Sequence, residues 1–241
     1  MPRLQLLFVL VCCMLATPVF AASSRPEERI TALRWEENQL ILGLSLTGEA
    51  VPSYLYFPEP SLAQPLVQKT MGAKVQVKSQ GADRYDRIMV ALTQSKNALA
   101  EEWLRAGVAV LYSPAAITGV KRLEAAERDA RDARRGVWAE KDFVRNMQHV
   151  TRADSGTFML VRGTVTRTYK SRDRYYINFG EDWRSDFSVA IPRKAWRSFG
   201  KTMEVAPGTT VLVRGVVVEE NGPMIYLTRP EQLERSSHGK P

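Results

Sequence analysis

Apolar residues follow two different periods along the first half of the chain. Short runs in which apolar residues alternate with polar ones, or are β-branched, predict β-strands, and these runs are residues 29–34, 39–46, 51–57, 74–78 and 87–92. The period then changes, because apolar residues recur every three or four positions in residues 99–106 and 120–135, which predicts two amphipathic helices. Gly107 and Gly136 follow these helices and predict where each one ends.

The second half of the chain reads almost entirely as strands. The predicted elements are strands at residues 158–170, 174–179 and 186–191, a short helix at 192–199, and strands at 209–219 and 224–228. Asn221 and Gly222 form a hairpin-turn signal between the last two strands. Three strands, a helix and two further strands are the order of a five-stranded Greek-key barrel, the OB-fold, which we therefore predict here.

Residues 1–21 have the pattern of a secretory signal peptide. Arg3 provides the positive start, residues 4–15 form the apolar run, and Val19-Phe20-Ala21 supplies the small residues for cleavage after position 21. A membrane anchor is the alternative, but this run is shorter than the ~20 residues that a bilayer span needs, and no later stretch is long and apolar enough. We therefore expect an exported protein, either periplasmic or fully secreted.

Composition narrows the classes of protein that the chain can belong to. It carries 34 Lys and Arg against 26 Asp and Glu, and the resulting net charge of +8 favours anionic partners. Apolar residues at 44% and charged residues at 25% are typical of a globular protein and exclude a disordered or collagen-like chain. Cys12 and Cys13 both fall in the predicted signal peptide, so neither a disulfide framework nor a Cys/His zinc site is expected.

Three blocks in the first half resemble one known family. They are Asp83-Arg84-Tyr85-Asp86-Arg87, then Leu104-Arg105-Ala106-Gly107-Val108-Ala109, and finally Leu123 with Glu127, Ala130, Arg131 and Gly136-Val137-Trp138. Their order and spacing are similar to those of the thermonuclease, or staphylococcal-nuclease-like, family. The resemblance implies a five-stranded OB barrel with helices, calcium held by acidic residues, two arginines on the phosphate and a glutamate that acts on the attacking water.

Strand pattern and resemblance together predict a β-rich α+β protein of two five-stranded OB-like barrels in tandem, the first with C-terminal helices. The polar stretch 144–156, which lacks periodicity, separates the two barrels. The second barrel resembles one that is often appended to exported thermonuclease-like proteins. We assign residues 1–21 to the signal peptide, 23–146 to the thermonuclease-like barrel, 151–234 to the second barrel and 235–241 to a disordered tail.

The resemblance carries over to a candidate site residue by residue. Arg87 matches the second family arginine, and Glu59 after Pro58 resembles the family's Pro-Glu, so these two are the catalytic candidates. Arg84 and Tyr85 match residues at the phosphate end of the family's groove and are the phosphate-binding candidates. A guanidinium stabilises the charge that develops on the phosphoryl oxygens, and a carboxylate orients the attacking water.

Other family positions are not matched. Asn38 stands where the first calcium aspartate is expected, residues 51–53 contain no arginine, and Tyr56-Phe57 replaces an Asp-Thr pair. We therefore predict no metal site and no cofactor, and expect calcium only if the chain is an active nuclease. Asp86 replaces a glycine, which is feasible because Asp tolerates left-handed turn geometry. Glu127 is expected to form a structural hydrogen bond.

Basic and aromatic residues are interleaved on the first strands of the second barrel. Aromatic rings stack on bases and cations follow the phosphates of a single strand, which predicts nucleic-acid contacts at Arg162, Lys170, Arg172, Arg174, Tyr175 and Trp183. Alternation along a strand places about half of the aromatic side chains in the core. A purely structural or protein-binding use of the second barrel is the alternative.

The sequence favours binding over catalysis, because basic charge is retained while the expected metal-binding acids are missing. We expect an exported thermonuclease-family protein that binds single-stranded nucleic acid, with weak or no calcium-dependent hydrolysis. One alternative is an active calcium-dependent nuclease on DNA or RNA that uses Arg87 and Glu59. The second alternative is an adaptor that contacts another envelope protein and no nucleic acid. Whether the chain is an enzyme stays open at this level.

Overall fold

A computed structural model describes residues 26–83, 85–112, 120–182 and 184–235. The predicted signal peptide, Arg84, Trp183 and tail residues 236–241 lie outside the described residues. Of the helices in these ranges, none has the length and apolar character that a membrane span requires.

Among the described residues of the first half there are eight strands and three α-helices. They are β1 (Glu27–Glu36), β2 (Gln39–Leu44), β3 (Gly48–Pro52), β4 (Leu55–Tyr56), α1 (Pro60–Gln68), β5 (Lys74–Ala82), β6 (Ile88–Gln94), β7 (Asn97–Ala98), α2 (Leu99–Arg105), β8 (Val110–Leu111) and α3 (Val120–Asp132).

Five of these strands close into the first barrel. β1 pairs with β2 and β5, β2 with β3, and β5 with β6, all antiparallel. The parallel pairing of β3 with β6 closes the circuit, which is the strand order of an OB barrel. The predicted strand 51–57 is divided, because β3 ends at Pro52 and β4 pairs separately with β8.

The described part of the second half contains eight strands and one α-helix. They are β9 (Val144–Asn146), β10 (Phe158–Thr164), β11 (Arg167–Lys170), β12 (Arg174–Asn178), β13 (Ser188–Pro192), α4 (Trp196–Phe199), β14 (Thr210–Glu219), β15 (Pro223–Tyr226) and β16 (Leu233–Arg235). Short 3-10 helices lie at Gly136–Ala139, Met147–His149, Arg152–Asp154, Arg193–Ala195, Gly200–Met203 and Pro230–Gln232.

The second barrel repeats the strand order of the first. β10 and β11 are two halves of one bent strand, because the Val165 N–H donates to the Thr209 carbonyl whereas the Thr166 N–H donates to the Asn178 carbonyl, each at 2.9 Å. Around the barrel, β11 pairs with β12, β12 with β13, β13 with β15 in parallel, β15 with β14, and β14 with β10. The predicted β-rich α+β class with two OB-like barrels is thus confirmed.

The end of the second barrel extends into the predicted tail. Arg235, assigned to the tail by its polar surroundings, is the last residue of β16, which pairs with β14. Its guanidinium donates to the carbonyl oxygens of Thr202, at 3.1 Å, and Glu204, at 2.9 Å. Pairing and these two hydrogen bonds hold the residue in the fold.

The ends of α2 and α3 meet at two glycines. Gly107 and Gly136 both have positive φ, at +71° and +56°. A Cβ on Gly107 would lie 2.1 Å from the Arg135 carbonyl oxygen, and one on Gly136 would lie 2.2 Å from the Gly107 carbonyl oxygen. Only glycine fits this close approach. The helix α3 itself ends at Asp132, three residues before the predicted end, and a turn carries the chain to Gly136.

Three apolar clusters form the core, and the third joins the two halves of the chain. One cluster fills each barrel, around Trp103 in the first and around Phe179 in the second. The third is built from both halves and contains Val110, Ala130, Val137, Trp138, Phe158, Leu160 and Leu212. The barrels therefore share buried apolar surface.

A buried ion pair lies beside this third cluster. Glu127 of α3 and Arg214 of β14 are 3% and 4% exposed. Arg214 Nη1 donates to Glu127 Oε1 and Nη2 lies against Oε2, both at 2.8 Å. The Leu111 N–H also donates to Oε1, at 2.8 Å, and the Leu111 carbonyl accepts from Arg214 at 3.2 Å. Glu127 thus has the structural hydrogen bonds that the sequence predicts.

Replacing Arg214 by Met tests how far this ion pair stabilises the fold. The variant leaves the Glu127 carboxylate buried without its counter-charge, so we expect the free energy of unfolding to fall by about 3–5 kcal/mol. Urea unfolding followed by tryptophan fluorescence measures it. Arg152→Met, which breaks the exposed pair with Glu219, is the control and should change stability little. Equal losses in the two variants would contradict the role assigned to the buried pair.

Candidate functional site

The loop between β5 and β6 is built around one carboxylate. Asp83 Oδ1 accepts the backbone N–H groups of Tyr85, at 2.8 Å, and Arg87, at 3.0 Å. The Asp83 N–H in turn donates to the Arg87 carbonyl at 3.0 Å. Asp86 has φ of +60°, so the left-handed turn expected of the residue that replaces glycine is present. The loop thereby directs the Arg87 side chain across the barrel end.

The Arg87 guanidinium is hydrogen-bonded at all three nitrogens by the protein itself. Nε donates to Asp83 Oδ2 at 2.8 Å, Nη1 donates to Glu36 Oε2 at 2.9 Å, and Nη2 contacts both Asp83 and Gln39. Glu36 is the last residue of β1 and Gln39 is the first residue of β2. Arg87 therefore links the β1–β2 hairpin to the loop between β5 and β6. The guanidinium carbon also lies 5.0 Å from the centre of the exposed Tyr85 ring. Two carboxylates therefore neutralise this catalytic candidate.

These contacts set the ionisation of Asp83. Burial raises its pKa, but the hydrogen bonds from the Arg87 side chain and from the Tyr85 and Arg87 N–H groups outweigh burial and hold the pKa below its usual range. The carboxylate is accordingly charged wherever the loop is folded at neutral pH.

Glu59, the other catalytic candidate, lies at the start of α1 on the protein surface. Ser61 Oγ donates to its Oε1 at 2.5 Å. Within the part of the chain that the structure describes, no hydrogen bond or ion pair joins Glu59 to Arg87. The structure therefore places the two catalytic candidates in the first barrel without linking them directly.

Asn38 positions the segment that precedes Glu59. Its Nδ2 donates to the carbonyl oxygens of Phe57, at 3.0 Å, and Pro58, at 2.8 Å. A carboxylate at this position would have no N–H to donate, so the amide has a structural role where the resemblance places a calcium aspartate. No group of three or more His, Cys, Asp or Glu side chains within the described ranges is placed to hold a metal ion.

The nucleic-acid candidates of the second barrel divide into surface and core. Arg162, Lys170 and Arg172 are exposed, and Arg174 is partly exposed. Tyr175 is corrected by the structure: it is 9% exposed and belongs to the core cluster, because it shares the inward parity of Ile177 on β12. Its ring is not available to stack on a base.

Tyr169 and Tyr176 are two aromatic residues of this region that face outward. They are directly opposite each other on β11 and β12, with ring centres 6.4 Å apart and planes inclined by 22°. They line a groove of about 460 Å³. The sequence contains a signal for this arrangement. Tyr175, Ile177 and Phe179 are apolar residues at alternate positions, so Tyr176 is expected on the outer face.

Glu220, in the loop between β14 and β15, lies at one end of this groove. It accepts hydrogen bonds from the Tyr226 hydroxyl and from Arg174, which lower its pKa. Burial, together with the hydrogen bond to Glu220, raises the pKa of Tyr226 to about 12. The same carboxylate raises the pKa of Arg174. Arg174 and Glu220 therefore both stay charged across the physiological pH range.

Comparison with known proteins finds one family match, which lies within the first half of the chain. Residues 61–140 match the model of the family described as Staphylococcal nuclease homologue. No curated protein matches the chain. The matched range includes the Asp83–Arg87 loop, α2, α3 and all of α1 after Pro60, whereas β1 to β4 precede it. The chain thus contains a staphylococcal-nuclease-like domain, which connects it with nucleic-acid binding or hydrolysis.

The Asp83 loop gives a pH-dependent prediction. Because the folded pKa of Asp83 is lowered, its contribution to stability is present above the unfolded pKa of about 3.9 and is lost as pH falls through the folded pKa. Asp83→Asn should therefore lower the free energy of unfolding by about 1–2 kcal/mol at pH 7. The difference from wild type should shrink on acidification, as urea unfolding at a series of pH values would show. Asp142→Asn, at an exposed position, is the control.

Proposed function

We propose that the protein is exported and binds single-stranded nucleic acid through a thermonuclease-like domain and a second OB barrel. We further propose that it hydrolyses phosphodiester bonds weakly or not at all with calcium. The matched domain at residues 61–140 and the net charge of +8 support the binding. The signal-like pattern of residues 1–21 supports export to the periplasm or beyond.

The neutralised guanidinium of Arg87 is the observation that carries the proposal on hydrolysis. Phosphodiester cleavage is accelerated by cationic groups aimed at the phosphoryl oxygens, where negative charge develops. Arg87 has Asp83 at 2.7 Å and Glu36 at 2.9 Å, so two carboxylates oppose the approach of a phosphate. The Glu36 contact joins the first strand hairpin to the loop that carries Arg87.

The same contacts still allow a phosphate to bind Arg87. Glu36 has 46% of its side chain exposed and also pairs with Arg34, so a phosphate can compete with it for Arg87. Such a competition yields binding that depends on salt, because each phosphate contact releases a counterion. It does not by itself provide the activated water that hydrolysis needs.

The first experiment separates binding from hydrolysis on the mature full-length chain. A fluorescein-labelled single strand should bind with an affinity that falls steeply as salt is raised, and it should stay intact equally in calcium and in chelator. Anisotropy reports binding, and a denaturing gel reports cleavage. Calcium-dependent cleavage that is lost in Glu59→Gln would instead establish the active nuclease. Retention on a nucleic-acid column without salt dependence would favour the adaptor.

Glu36→Gln tests the competition at Arg87. Removing the carboxylate frees one face of the guanidinium for phosphate, so binding should tighten and the salt slope for a single strand should steepen by about 0.7.

Glu49→Gln is the matched control for this variant. Glu49 is an exposed carboxylate that pairs with Arg34, and it has no contact with Arg87 among the described residues. The substitution changes the net charge equally. If both variants tighten binding to the same extent, the effect is one of net charge, and Arg87 is not the phosphate contact.

A further inference from the structure

The groove of the second barrel has an aromatic wall. Tyr169 is 60% exposed and lies almost parallel to Tyr176 across the β11–β12 pair. Stacked rings at a groove mouth offer an open π-face to a flat ligand. Base–aromatic stacking is the contact by which proteins hold single strands without sequence readout.

The floor of the groove carries polar side chains that have no hydrogen-bond partner among the described residues. Asn178 of β12 and Ser188 of β13 are 7% and 3% exposed, lie opposite each other and line the groove. Within the described ranges, neither side chain makes a hydrogen bond. An amide beside a hydroxyl offers the adjacent donor and acceptor that the edge of a nucleobase presents.

A basic surface begins where the groove ends. Ser171 lines the groove, and the next residue, Arg172, accepts from Arg193 through its carbonyl oxygen at 3.4 Å. The Lys170 ammonium lies 4.7 Å from the centre of the Trp196 ring, and the Arg193 guanidinium carbon lies 6.0 Å from it. Two cations are thus gathered on one indole at the end of β11, the strand that carries Tyr169.

These cations lack acidic partners. Lys170, Arg172, Arg193 and Lys194 are exposed, and none of them forms an ion pair with any described residue. The acid in this loop is Asp173, whose backbone carbonyl accepts the Arg193 N–H. By contrast, Arg174 is neutralised by Glu220. The surface therefore has excess positive charge next to an aromatic groove, which complements a chain of phosphates that carries flat bases.

From this juxtaposition we infer that the second barrel holds the main single-strand site of the protein. One base lies on Tyr169 and Tyr176 with its edge towards Asn178 and Ser188. The phosphates that follow lie over Lys170 and Arg193. This inference rests on the proposed nucleic-acid binding and locates its principal contact in the second barrel, away from Arg87.

Tyr169→Ala tests the stacking contact in the full-length protein. Binding of a labelled oligothymidylate of about 12 nucleotides should weaken roughly tenfold, whereas Tyr169→Phe, which keeps the ring, should bind like wild type. Leu62→Ala, at an exposed apolar position of the first barrel, is the matched control. An abasic strand of equal length should bind wild type at least as weakly as the normal strand binds Tyr169→Ala, because it lacks every base contact.

A double variant, Lys170→Gln with Arg193→Gln, tests the phosphate contacts. Each of the two substitutions removes a cation that lies over a phosphate, so each should reduce the salt slope of binding to the single strand by about 0.7. Lys74→Gln, at an exposed lysine of β5, should leave the slope unchanged.

The outcomes separate this inference from the proposed function. If wild type binds the strand but binds abasic and normal strands equally, or if Tyr169→Ala binds like wild type, the groove is not the site and binding through the first barrel survives. If wild type binds no strand at all, the proposed function itself fails. The abasic strand makes this test on unmodified protein and so does not depend on whether a variant folds.

Discussion

The buried ion pair between Glu127 and Arg214 is the contact on which the joining of the two barrels depends. Each barrel region supplies one charge, and both are almost fully removed from water. Burying a charge is costly unless its partner and hydrogen bonds offset the loss of hydration. Here the partner comes from the other half, and Leu111 completes the set through its N–H and carbonyl. Either half alone would leave an unpaired charge, so we treat the two barrels as one structural unit.

The two candidate sites occupy equivalent places in the repeated fold. In the first barrel the loop between strands four and five carries Arg87, and it meets Glu36 at the hairpin between strands one and two. In the second barrel Arg174 begins strand two and meets Glu220 in the loop between strands four and five. An arginine–glutamate pair thus links the same two regions in both barrels, with the charges exchanged. The OB topology places these regions side by side whatever their sequence.

The consequences of the two pairs differ because of what surrounds them. Around Arg87 the side chains of Asp83, Glu36 and Gln39 occupy the guanidinium, and the site is closed by the protein's own acids. Beside Arg174 the barrel surface instead opens into a groove walled by Tyr169 and Tyr176. Carboxylates that neutralise a guanidinium remove the positive charge that a phosphate needs. The exposed cations of the second barrel supply that charge. The difference between the two candidate sites is therefore electrostatic in origin.

Local features of the fold can be read from the sequence. Alternation marked the barrel strands, the two glycines marked the helix ends within a few residues, and Asp86 was compatible with its left-handed turn, because such features depend on neighbours in the chain. The long-range contacts, in contrast, become visible only in the folded protein. Glu36 reaches Arg87 across 51 positions and Arg214 reaches Glu127 across 87. The folded protein also shows that Asn38 holds the backbone before Glu59 and that Tyr175 is core while Tyr176 faces the groove. These outcomes depend on strand register and barrel closure, which bring together residues that share no local pattern.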